Sequence, residues 1–72
     1  MTRDEWITAF AAEAGVERPS IDDIRELLDL AGAAAHGSER TAAPLACWIA
    51  GRSSLAPSRL REIAEGIRGA SA

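Results

Sequence analysis

Apolar residues recur along this chain at steps of three and four, and nowhere in the alternation that marks a strand. In the first segment Trp6, Ile7, Phe10 and Ala14 share one side, while Glu5, Thr8 and Ala12 fall on the other. Thr2-Arg3-Asp4-Glu5 has the form of a capping box, and Gly15 followed by Val16 has the form of a left-handed stop. The pattern predicts a helix over 3–14, with the Trp6 and Phe10 rings directed into the core.

Glu17-Arg18-Pro19 reads as a connector and Ser20 as the next N-cap, with Asp22 and Asp23 where the helix dipole favours negative charge. Ile21, Ile24, Leu27, Leu28, Ala31, Ala34 and Ala35 form a broad apolar stripe opposite Arg25, Glu26 and Asp29, which predicts a helix over 20–36. Its second half is small, Ala31-Gly32-Ala33-Ala34-Ala35, so a neighbouring helix or ring can come close. Trp48 is the expected occupant. Gly32 costs about 1 kcal/mol in helix propensity relative to alanine, and close packing is its expected compensation.

Gly37 is expected to cap that helix in the left-handed conformation. Pro44, tolerated only within a first turn, places a third helix over 42–51. Leu45, Trp48 and Ile49 are expected to face inward, with Arg52 continuing the line and Cys47 opposite. A fourth helix over 57–68, capped by Ser54 or Ala56, sets Leu60, Ile63, Ala64 and Ile67 against Arg59, Arg61, Glu62, Glu65 and Arg68. The tail Ala70-Ser71-Ala72 is expected to fray. The fold class is all-α: a small four-helix bundle, up-and-down or orthogonal, forming a single domain over 1–72.

Composition narrows the function classes. Seventy-two residues hide only about 60% of the surface that the unfolded chain exposes. A weak monomer, a homodimer, or a domain resting on a partner is therefore expected. The net charge of −3 is unevenly spread: residues 1–36 hold eight acids and three arginines, residues 37–72 three acids and five arginines. There is no lysine, and no basic cluster of the kind that nucleic acid binding requires. Cys47 stands alone, which excludes an intrachain disulfide, and no histidine or cationic cluster flanks it to make a nucleophile. No apolar run reaches the roughly 18 residues that would suggest a membrane span, and the start MTRDEWITAF lacks a signal-peptide pattern. A cytoplasmic location follows as the default.

Candidate chemistry gathers in the turn between the second and third helices. His36, Glu39 and Arg40 are the candidate partner- or anion-binding residues. His36 can act as a proton-transfer group or anion contact beside an Arg40 fork, or simply cap the negative end of its helix. Glu39 and Arg40 can pair with each other, tie the turn to a neighbour, or meet a partner. Asp22, Asp23, Glu26 and Asp29 lack the convergence a metal site needs and read as a solvated face. Ser54, in Arg-Ser-Ser-Leu, is set aside as a carrier-type attachment serine because the following helix is arginine-rich. There is no glycine-rich phosphate loop, HExxH or paired-carboxylate arrangement, so neither catalysis nor a cofactor is expected.

Leu28-Asp29-Leu30-Ala31, Ala35-His36-Gly37, Glu39-Arg40 and Ala42-Ala43-Pro44-Leu45, followed by Gly51, resemble a small helical domain of unknown function. In that family a segment of this type follows an amino-terminal helix with an acid and tryptophan like Asp4-Glu5-Trp6. Gly32 stands where a charged residue is common and Thr41 where proline is common. Such domains occur alone or fused behind molybdenum cofactor guanylyltransferase. The resemblance implies an accessory or interaction domain in molybdenum cofactor (molybdopterin guanine dinucleotide) biosynthesis, with that enzyme or a molybdoenzyme as partner. The enzyme's nucleotide-binding glycine loop is absent, so transferase activity is not implied. Two other readings stand beside it: a self-associating structural module, and a small-anion or pterin-phosphate binder using His36 and Arg40.

Overall fold

The computed structural model describes residues 1–70, the last three as backbone only, and contains four helices: α1 (Arg3–Ala14), α2 (Ile21–Gly37), α3 (Ala42–Arg52) and α4 (Pro57–Ala70). These bounds lie within two residues of those expected. Of the tail expected to fray, Ala70 is the last residue of α4, and Ser71 and Ala72 lie outside the described residues.

Local capping chemistry explains the agreement. Thr2 Oγ1 accepts from the Glu5 amide at 3.1 Å while Glu5 Oε1 accepts from the Thr2 amide at 2.8 Å. The bond from the Thr2 amide is the largest cause holding the Glu5 carboxyl below its ordinary pKa. Gly15 ends α1 at φ 78°, and the Val16 amide returns to Ala11 O at 3.0 Å. Ser20 Oγ accepts from the Asp23 amide at 3.0 Å and opens α2. Ala56 opens α4 through its carbonyl, which accepts from Arg59 and Leu60.

The end of α2 differs from expectation. Gly15 is the only positive-φ residue among those described, so Gly37 stays helical. Ser38 closes the helix instead, its Oγ donating to Ala34 O at 2.8 Å. A short polar side chain satisfies a terminal carbonyl there, so no left-handed glycine is needed.

α2 is the hub, packed against both α3 and α4, while α1 has no comparable contact with any helix. The molecule measures 39 × 24 × 18 Å with a radius of gyration of 12.8 Å, against about 11 Å for a compact chain of this length. Arg61 of α4 donates from Nε to Glu26 of α2 and from Nη1 to Glu65 at 2.8 Å. The bond to Glu26 is the main cause raising the arginine's pKa above its ordinary value.

The core is not where the large residues predict it. The buried side chains are Ala11, Leu30, Ala33 and Ala50, and no large side chain is fully buried. Trp6 and Phe10 are 53% and 60% exposed, and Trp48 is 64% exposed. On α3 the expected faces are exchanged. Ala50 is buried and Ala42, Ala43, Ala46 and Cys47 are half-buried, whereas Leu45, Trp48 and Arg52 are exposed on the other side and Ile49 is exposed between the two. A row of alanines lets α3 approach the small-residue half of α2 backbone to backbone, and no ring fits between them. Gly32 is not the point of close approach either, because a Cβ added there would meet nothing within 4 Å.

Candidate functional site

The corner between α2 and α3 carries the three residues expected to work. His36 lies in the last turn of α2, where a cation meets the negative end of the helix dipole. Glu39 and Arg40 follow in the turn, and their carbonyls accept from the Ala42 and Ala43 amides at 2.9 and 3.2 Å. The turn is thus held by its backbone, leaving the side chains unused. His36, Glu39 and Arg40 are all exposed. None makes a side-chain hydrogen bond or ion pair with another described residue. The fold gathers them at one corner without joining them to each other or to a neighbouring helix. Among the described residues no group of three or more metal-ligating side chains converges.

Two features beside the corner escape a reading based on residue size. The first is the outer stripe of α3, Leu45, Trp48 and Arg52, at spacings of three and four. The Arg52 guanidinium carbon sits 4.8 Å from the Trp48 ring centroid, a cation–π stack on an open surface. The signal for it was present: the opposite side of α3 is a run of alanines at equally good helical spacing. The second is an apolar groove of about 280 Å³ between α2, α3 and α4, lined by Leu30, Ala33, Ile49, Leu60, Ile63 and Ala64, among others. Ser38 is the polar residue on its edge, and its hydroxyl is already committed to Ala34 O.

The model of the family described as Domain of unknown function (DUF6457) matches residues 1–72. The chain belongs to the DUF6457 family. No curated protein and no solved structure matches this DUF6457 domain. Among the described residues, no helix of the domain is long and apolar enough to cross a membrane. In the DUF6457 domain the Ala35-His36-Gly37, Glu39-Arg40 and Ala42-Ala43-Pro44-Leu45 segments coincide with the end of α2, the turn and the first turn of α3.

Proposed function

We propose that this domain is a non-catalytic interaction module that docks on molybdenum cofactor guanylyltransferase. The contact would be made by the outer stripe of α3 together with His36, Glu39 and Arg40. The observation that carries the reading is Trp48, exposed on α3 and stacked by Arg52, with His36, Glu39 and Arg40 at the adjoining corner making no side-chain bond to another described residue. Tryptophan and arginine are the residue types that most often anchor protein–protein contacts, and polar groups suit the rim. The choice of enzyme rests on the resemblance of the Ala35–Leu45 segment to domains fused behind it.

Calorimetric titration of the chain into the guanylyltransferase tests this, with nucleotide transfer followed in parallel. Association at micromolar concentration is expected, and Trp48→Ala should weaken it at least about tenfold. Because Trp48 is exposed, that change leaves the fold intact. No heat of binding, together with no effect on nucleotide transfer, contradicts the proposal.

A further inference from the structure

α1 and the groove are each unfinished, and each has what the other lacks. The groove has three helical walls, with α2 flanked by α3 and α4, and none of its lining residues comes from α1. α1 carries a stacked aromatic pair, Trp6 and Phe10, with ring centroids 5.0 Å apart and planes 19° from parallel. Both rings lie on open surface. The groove's lining is apolar, which suits rings and offers nothing to a charged small molecule.

The connector explains why α1 does not fill the groove of its own chain. Gly15 and Val16 fold back on the last turn of α1. Arg18 Nη1 then donates to Thr8 Oγ1 at 2.8 Å, tying the connector to α1 itself.

Area and charge favour a second copy as the occupant. The chain exposes 5504 Å², whereas a folded monomer of 7.6 kDa exposes about 4,300 Å². The excess, roughly 1,200 Å² per chain, is more than the about 800 Å² per partner of a standard interface. Residues 1–20, which comprise α1 and its connector, hold four acids against two arginines. Of the groove's walls, α3 and α4 hold two acids against four arginines, whereas α2 holds four acids against one. A two-fold contact laying the net-negative α1 of one chain along the net-positive α3 and α4 of the next satisfies both copies at once.

We infer that two copies exchange α1 reciprocally, each seating Trp6 and Phe10 in the other's groove between α2, α3 and α4. The surface used is separate from the Leu45–Trp48–Arg52 stripe, so this dimer and docking on the guanylyltransferase stand or fall independently.

Sedimentation velocity over a concentration series tests it with three samples. The unmodified chain should pass from monomer to dimer as concentration rises. A Trp6→Ala/Phe10→Ala chain, altered only at exposed positions, should raise the dissociation constant at least about tenfold. Ile63→Asp, which puts a carboxylate into the groove, should do the same, with circular dichroism checking that the chain stays folded. Mixing the two variants should restore association that neither shows alone, because one intact ring pair then meets one intact groove. Trp48→Ala should leave the dimer unchanged. A strict monomer at the highest concentration overturns the inference. So does a dimer indifferent to the loss of both rings, whatever becomes of Ile63→Asp.

Discussion

Leu30→Ala is the sharpest probe of where this small core lies. Leu30 is 5% exposed and is the largest side chain among the buried residues; the others are alanines. Truncating a buried leucine costs about 2–5 kcal/mol, and the cost rises with the closed void left behind. Leu30 borders the open groove, so its removal deepens that groove without sealing a new cavity. The expected loss is therefore near the low end, about 2–3 kcal/mol. A domain of 72 residues holds roughly 4–11 kcal/mol in all, so this one change removes a large share. The melting temperature should fall by about 8–24 °C, at about 4–8 °C per kcal/mol for a chain this short. Leu45→Ala is the matched control: Leu45 is 65% exposed, and its loss should stay within about 0.5 kcal/mol. Both are measured by thermal and urea unfolding at one low protein concentration, so that self-association does not enter. Equal effects from the two truncations would refute the placement of the core. A larger loss at Leu45 would mean that α3 packs through its outer stripe.

Gly32→Ala should stabilise the domain by about 0.5–1 kcal/mol, because Gly32 is interior to α2 and an added Cβ meets nothing within 4 Å. Gly15→Ala should destabilise by about 1–2 kcal/mol, since that residue holds φ 78°. Urea midpoints for the pair check both signs, and a loss at Gly32 would show that close packing governs there after all. Glu5 supplies the pH test: its folded-state pKa is lowered by the capping box. Its contribution is thus fully present above the ordinary glutamate range and is lost as pH falls through the lowered value. Protection of the Thr2 and Glu5 amides, measured against the intrinsic exchange rate at each pH, should fall on acidification before that of the α2 amides; simultaneous loosening would contradict a role confined to α1.

The helices were legible because their ends are local chemistry. Thr2 with Glu5, Gly15 with Val16, and Ser20 with Asp23 each settle a boundary within a few residues, and each bond is present. Which face of α3 turns inward was not legible from size and hydrophobicity. Leu45, Trp48 and Ile49 carry more hydrophobic area, but Ala42, Ala46 and Ala50 permit closer approach, and that approach is decided only once α2 is beside them. Trp6 and Phe10 misled for a related reason: rings one turn apart signal a packing face without saying whether the partner face lies in the same chain. At the corner, the positions of His36, Glu39 and Arg40 followed from the helix ends. That the turn is held by its backbone, and that none of the three makes a bond to another described side chain, is not something side-chain types reveal.

The central claim is that α1 and the groove are two halves of one contact. It is tested most directly by isotope-filtered nuclear Overhauser spectra on a concentrated equimolar mixture of labelled and unlabelled chains. The account predicts cross-peaks between the Trp6 and Phe10 rings of one copy and the Leu60 and Ile63 methyls of the other. Ring-to-methyl contacts arising only within a single copy, or none at all while dimer is present, would contradict it.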